Sequence, residues 1–244
     1  MKINSLTHYY KGRSSPVLNQ LCIEFDPNKL NVIVGLNGSG KTTLLDIISG
    51  VIPSAQFHSP FAEEDVVYQM QGVPLPSIMK GKDIVRLILK CDTPFSFSKS
   101  LKTFIGSLTP REKELLNRLW DVRIGDMSVG ERRWLIIKSV CQLERKLYIF
   151  DEPTAGIDPD TRNYVLSSIN RLVKKGKLVI MSTHILHELE FIDCKIHFLH
   201  KGRILYEGDY VSFLRKHNTE NPDIAFQMFI QEQGGELNEE TMFV

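Results

Sequence analysis

Apolar positions along this chain switch repeatedly between two periods, and the switching predicts a layered α/β protein. Leu21, Ile23 and Phe25 alternate with polar residues as on a half-buried strand, and Ile3 to Thr7 reads as another strand beside them. Leu30 to Val34, Leu147 to Phe150 and Leu178 to Ser182 are dense apolar runs. Such runs suit a sheet covered on both faces. Glu64 to Tyr68 reads as a further strand, and Cys194 to Tyr206 as a hairpin turning at Lys201-Gly202.

Between these lie helical patterns. A helix-forming run from Thr43 to Ile48 stops at Gly50, and Leu166, Ile169, Leu172 and Val173 line an amphipathic helix from Thr161 to Lys174 that Gly176 ends. From Pro74 to about Asp126 the pattern becomes continuously helical: Ile84, Leu87 and Ile88 share a face, and Leu115, Leu116, Leu119 and Trp120 form a second stripe. Thr109-Pro110-Arg111-Glu112 supplies a capping box with proline at the first helical position. Ser128 is an N-cap signal, and Tyr210 to His217 is a short helix. Cys91 to Lys99, with Pro94 and two phenylalanines, fits no pattern. Beyond Thr219 there are acids but no Lys or Arg, and Gly234-Gly235 breaks the run, so 218–244 is expected to be an acidic, partly disordered tail.

Composition narrows the field. The 244 residues suit one large α/β domain, and a net charge of +1 gives no basic field for nucleic acid. No apolar run approaches the ~20 residues of a membrane span, and the N-terminus lacks a signal-peptide core, so the chain is expected to be soluble by itself. Four scattered cysteines and seven histidines without ligand spacing argue for reduced thiols in a cytoplasmic compartment and against structural zinc.

The chemistry sits at strand ends. Gly35-Leu36-Asn37-Gly38-Ser39-Gly40-Lys41-Thr42-Thr43 follows a strand and opens a helix, the GxxxxGK[ST] arrangement. Its glycines let backbone N–H groups approach phosphate oxygens, Lys41 can reach the β- and γ-phosphates, and the Thr42 hydroxyl suits Mg2+. Upstream, Tyr10 is preferred to Tyr9 as an aromatic that stacks on a base, because the Lys11-Gly12 turn follows it directly. Asp151 and Glu152 end an apolar strand, where open α/β sheets bind ligands. One acid can hold Mg2+ and the other can activate water. Gln71 also leaves a strand, where it could contact Mg2+ or the attacking water and sense a γ-phosphate, and the place of His184 at a strand end favours a catalytic over a structural histidine. Gly130, two residues after the Ser128 cap, weakens a helix start and makes sense if a phosphate approaches the backbone.

Gly35–Thr43, Gln71, Ser128–Glu131, Leu147–Glu152, Asp158 and His184 occur in the order of an ATP-binding-cassette (ABC) ATPase, and from about Lys2 to Arg215 the chain resembles that family. The resemblance implies an α/β P-loop core with a mostly parallel sheet, an N-terminal antiparallel β-subdomain and an inserted helical subdomain at about 74–140, all within an ATPase domain spanning 1–217. It implies ATP and Mg2+ as ligands. Gly35, Asn37, Gly38, Ser39, Gly40, Lys41, Thr42 and Thr43 look like Walker A, and Tyr10 like the A-loop aromatic. Asp151 resembles the Walker B acid and Glu152 the catalytic base. Gln71 is similar to the Q-loop glutamine, with Gln69 the weaker choice because the family's glutamine usually lies three residues past the strand aromatic, here Tyr68. His184 resembles the switch histidine and Asp158 the D-loop aspartate. With Thr42 and Asp151, Gln71 would complete the metal set.

Ser128 and Gly130 match the signature motif, which in this family contacts ATP held by a second subunit, so the resemblance implies a head-to-tail dimer. Met127, Val129 and Glu131 depart from the usual Leu-Ser-Gly-Gly-Gln. Valine tolerates positive φ poorly, and Glu131 brings negative charge toward a triphosphate. Loosened signatures of this kind, and the runs from Thr183 to Glu190 and Lys201 to Gly208, resemble stand-alone ATPase subunits of ABC-2-type exporters. The implied role is to drive a separate membrane permease from the cytoplasmic face, exporting an antimicrobial peptide, drug or similar cargo. An importer ATPase, or a soluble ABC ATPase acting on nucleic acid or ribosomes, shares the same nucleotide chemistry. The single cassette and near-neutral charge speak against the latter, and no nucleic-acid partner is expected.

Overall fold

β-branched and aromatic runs become strands, and glycine or a capping side chain punctuates nearly every helix. The computed structural model describes residues 1–72, 74–92, 97–190 and 192–232. In chain order these form β1 (Lys2–His8), β2 (Leu18–Glu24), β3 (Leu30–Val34), α1 (Lys41–Ser49), β4 (Val66–Gln69), α2 (Gly81–Leu89), α3 (Phe97–Gly106), α4 (Pro110–Leu119), α5 (Val129–Val140), β5 (Leu147–Asp151), α6 (Pro159–Lys174), β6 (Leu178–Thr183), β7 (Cys194–His200), β8 (Arg203–Asp209), α7 (Tyr210–Lys216) and α8 (Pro222–Glu232). The fold is α/β, with mostly parallel strand pairing and a separate antiparallel pair, β1 with β2. Two compact units can be distinguished: residues 1–60 together with those from 178 onward, and residues 61–177.

In the first unit β3 lies between β6 and β7 and runs parallel to both. Leu30 stands opposite Val179 and Cys194, and Val34 opposite Thr183 and Phe198. All five β3 residues are buried. Its one polar side chain, Asn31, is satisfied there, donating to the carbonyls of Asp26, Lys29 and Val179 at 2.8, 3.1 and 3.2 Å. The antiparallel β7–β8 hairpin turns through Lys201 (φ 45°) and Gly202 (φ 74°), two successive left-handed residues as a tight hairpin requires.

The expected loose tail is partly a helix. In α8, Phe226 and Phe229 bring their rings to 5.2 and 5.3 Å from Phe198 on β7, while Ala225 and Ile230 are also buried. The helical spacing of these apolar positions was present beneath the acidic composition. Gly234 and Gly235 lie outside the described residues.

In the second unit β4 pairs in parallel with β5 from Val66↔Leu147 to Gln69↔Phe150. The strand expected at Glu64 starts two residues later, because Glu63–Asp65 form a single 3-10 turn, a conformation that suits consecutive exposed acids better than a ladder. Helices α4 and α5 open with the same device. Thr109 and Glu112 exchange side-chain and backbone hydrogen bonds at 3.3 and 2.8 Å, and Ser128 and Glu131 do so at 3.1 and 2.8 Å. Asp158 caps α6, its Oδ1 accepting from the Thr161 N–H at 2.9 Å.

On α4, Leu116 and Leu119 are buried, whereas Leu115 and Trp120 are only half-buried. The interior place is taken by Glu112, 1% exposed, whose carboxylate meets Lys138 of α5 at 2.6 Å; Lys138 also donates to Ser168 of α6 at 3.2 Å. Burial pushes the Glu112 carboxyl up, but hydrogen bonds from Lys138 and Thr109 outweigh it and hold the group below its ordinary range. Three helices are thereby pinned at one point. On α2, Ile84 is buried but Leu87 is exposed. Residues 93–96, within the stretch that fitted no pattern, lie outside the described residues. Among the described residues no helix is long and apolar enough to cross a membrane.

Candidate nucleotide site

The phosphate loop belongs to the first unit. The chain leaves β3 at Gly35, where a Cβ would stand 2.4 Å from the Leu199 carbonyl oxygen and 2.6 Å from Ser39 Oγ. It turns left-handed at Gly38 (φ 76°) and Gly40 (φ 108°). Gly40 then opens α1 with no side-chain cap, so no cap carboxylate or hydroxyl competes for the positive end of that helix. Lys41 folds back over the loop, its Nζ donating to the Gly35 and Leu36 carbonyls at 2.7 and 3.3 Å. Ser39 Oγ is buried without a hydrogen-bond partner. A buried, unpaired hydroxyl beside two left-handed glycines suits a phosphate oxygen.

Asn37, Gly38 and Thr42 are exposed and Thr43 is buried. The Tyr10 hydroxyl lies 3.1 Å from Thr43 Oγ1, and its ring packs edge-on against His8, so Tyr10 is tied to the loop helix while remaining 40% exposed. His184 is exposed just beyond β6. Sequence reasoning missed a support beneath the loop: the Gly202 N–H donates to the Ser39 carbonyl at 3.1 Å, and a Cβ on Gly202 would strike the Val17 carbonyl at 2.3 Å. The Lys-Gly dipeptide signalled the turn but not what rests on it.

The acids belong to the second unit. Asp151 ends β5 and is 1% exposed. Glu152 is not a strand residue: β5 ends at Asp151, and the Glu152 backbone is left-handed (φ 47°), an uncommon conformation for a side chain of this size. Gln71 Nε2 donates to Glu152 Oε2 at 3.1 Å, whereas Gln69 donates to the Met70 carbonyl at 2.6 Å. Arg133 of α5 donates to the main-chain carbonyls of Glu152, at 3.2 Å, and Ala155. Burial pushes the guanidinium pKa down and Glu152 opposes this. No feature of the sequence flagged Arg133, because an arginine on a helix is ordinarily a solvated one.

Ser128, Gly130 and Asp158 come together. A Cβ on Gly130 would stand 3.3 Å from Asp158 Oδ2, so a larger residue there would make that carboxylate shift by a few tenths of an ångström. Hydrogen bonding from the Thr161 N–H holds the Asp158 carboxyl below its ordinary range. Val129 is the first residue of α5 and is not among the left-handed residues, so its replacement of glycine introduces no backbone strain. Ser128 and Asp158 line a polar cleft of about 530 Å3, with Arg118 and Glu131. Tyr68, Leu87, Ile88, Val129 and Ile136 line an apolar groove of about 370 Å3, to which Leu87 and Val129 contribute exposed side chains. Among the described residues no group of three or more His, Cys, Asp or Glu could hold a metal ion.

The family model described as ABC transporter matches residues 18–155, more than half of the chain. Protein McbF of Escherichia coli is 28% identical over 222 residues, covering 89% of this chain and 90% of McbF. The Nod factor export ATP-binding protein I of Rhizobium meliloti is 28% identical, covering 84% and 62%. The energy-coupling factor transporter ATP-binding protein EcfA1 of Thermotoga maritima is 25% identical, covering 97% and 92%. A solved structure of an ATP-binding subunit of an ABC transporter superposes with a TM-score of 0.74 at 23% identity, covering 93% of this chain and 98% of that one. A fold of this shape, a glycine-built phosphate loop and the family match lead to one assignment: the chain belongs to the ABC transporter family, as an ATP-binding ATPase subunit.

Proposed function

We propose that this subunit drives export through a separate membrane permease and that it works as a head-to-tail dimer, the Ser128–Gly130 segment of each copy engaging ATP held by the other. Glu152 is the general base that activates water for in-line attack on the γ-phosphate, Gln71 orients it, His184 contacts the γ-phosphate and Tyr10 meets the base. A bound Mg2+ would supply neutralisation of phosphate charge. Thr42 and Asp151 would offer the hard oxygen donors that it prefers, with Gln71 as a third. The domain reading follows the family: a catalytic domain through residue 217, with the helical segment at about 74–140 as the part that answers the membrane partner. The subunit would then sit peripherally on the cytoplasmic face of the membrane.

The observation that carries the catalytic reading is the Gln71–Glu152 hydrogen bond at a left-handed Glu152, because it singles out a carboxylate with a built orientation. Export is supported by the likeness to a Nod factor export ATP-binding protein; EcfA1, nearly as similar, has a name that states no direction. The apolar groove beside β4 and α5, with Leu87 and Val129 exposed in it, supports a protein partner. Glu152→Gln is expected to abolish turnover while retaining ATP binding, and normal turnover would remove Glu152 as base. The same variant, purified with ATP and Mg2+ from detergent-solubilised native cells, is expected to bring down one multi-spanning membrane protein. Recovery of ribosomes or nucleic-acid-binding proteins without a membrane protein would overturn the transporter reading.

A further inference from the structure

Glu131 stands where the family signature has glutamine, and a carboxylate beside a triphosphate is repelled by it. Its surroundings are already acidic. In the polar cleft Arg111 and Arg118 face five carboxylates, and of these only Glu112 is neutralised from within, by Lys138. Arg111 pairs with Asp160 at 3.3 Å. Arg118, in the last turn of α4, reaches Glu131 in the first turn of α5, Nη1 to Oε1 at 2.7 Å.

Glu131 therefore divides its carboxylate. Oε2 accepts the Ser128 N–H at 2.8 Å, and Oε1 accepts the guanidinium. The first bond holds the side chain over the start of α5, next to the residue assigned to phosphate, and a glutamine oxygen makes that bond equally well. Only the charge of a glutamate calls for the second.

We propose that Arg118 is a positioning residue of the signature segment: its guanidinium neutralises Glu131, so that Ser128 and Gly130 engage a triphosphate despite the carboxylate in glutamine's place. The inference rests on the reading above that this segment contacts nucleotide held by a second copy. Arg118 is 65% exposed, and exposed ion pairs add little to folding, so the pair acts on nucleotide engagement and leaves the stability of the subunit almost unchanged.

The test is steady-state ATPase kinetics of the full chain, with melting temperature measured alongside. Arg118→Ala is expected to raise the ATP KM about tenfold at low salt and to melt within about 2 °C of wild type. Because the defect is repulsion between charges near the surface, it should shrink severalfold at about 0.5 M NaCl, which a purely structural defect would not do. Arg118→Lys, which keeps the charge, should retain most of the affinity. The decisive arm is the double variant: Arg118→Ala with Glu131→Gln is expected to return KM to within about twofold of Glu131→Gln alone. A wild-type KM in Arg118→Ala, or a double variant as impaired as Arg118→Ala, overturns the proposal. Ser128→Arg separates the two levels. Wild-type turnover in that variant defeats the signature reading itself, and with it this proposal. Lost turnover there, with a normal Arg118→Ala, defeats only the role of Arg118.

Discussion

Helices α1 and α5 both begin at a point assigned to phosphate, and they begin in opposite ways. Helix α1 enters from Gly40 in a left-handed conformation with no side-chain cap, and three glycines clear the space around it. Helix α5 enters from extended Ser128, whose hydroxyl and the Glu131 carboxylate close a capping box on the first turn. At α1 no side chain caps the backbone's positive end, which suits an anion; at α5 the capping box already bonds the Ser128 and Glu131 N–H groups within the chain. The first arrangement suits affinity. The second gives a pre-folded surface whose contribution is geometry and choice of partner.

The comparison can be broken most severely at Gly40. Gly40→Val forces a β-branched residue into φ 108° with a Cβ 2.9 Å from Leu18, and is expected to remove measurable ATP binding by calorimetry, as is Lys41→Ala. Tight binding in either variant would show that α1 is not where nucleotide sits.

Lys138→Met attacks the foundation of α5 instead. It leaves Glu112 buried without its cation and should lower stability by about 3–5 kcal/mol in urea titrations at pH 7. The pH dependence should also reverse. In the wild type the Glu112 carboxyl lies below its ordinary value, so its contribution is complete above the unfolded pKa and fades as pH falls through the folded one. In the variant burial dominates and raises that pKa, so part of the lost stability should return as pH drops toward 4. A loss independent of pH would mean that Glu112 is not the group left stranded.

Ser128→Ala removes only the cap and should cost about 1 kcal/mol, matching Thr109→Ala at the identical box on α4. The two variants should differ in ATP turnover alone, with only Ser128→Ala impaired. The smallest expected effect sharpens the contrast furthest. Ser39 Oγ is buried and unpaired, so Ser39→Ala should leave thermal stability unchanged or slightly higher while weakening ATP binding by a few fold.

These two helix starts also differ in how legible they were. Everything that shapes the α1 loop is local: an apolar run, glycines at fixed spacing, then Lys41 and Thr42. Sequence reading recovered β3 to the residue for that reason. The Ser128-x-x-Glu131 box carries the same signal as Thr109-x-x-Glu112, but Glu131 also stands where the resembled motif has glutamine, so one residue serves two readings. Arg133, Arg118 and the Glu112–Lys138 pair were out of reach, because each depends on which polar residue of a distant helix faces which, and a single sequence does not encode that separately from the packing. Helix α8 is hidden for a different reason: its acids and the glycines beyond it mask the helical spacing of Ala225, Phe226, Phe229 and Ile230.

The position of β3 has a consequence for how the protein is made. Its two parallel neighbours are encoded about 150 and 165 residues downstream of it. At roughly 5–20 residues per second of synthesis, the strand, all of it buried in the finished fold, and the loop it carries wait on the order of 10–30 s for a sheet to join. Ribosome-stalled chains ending before residue 178 are therefore expected to bind no ATP, however well formed their glycine spacing. During that interval the strand is an unpaired edge, open to any other extended segment nearby. Nucleotide is a ligand of the completed fold and gives the growing chain no protection, so holding that strand in check falls to the ribosome surface and to chaperones.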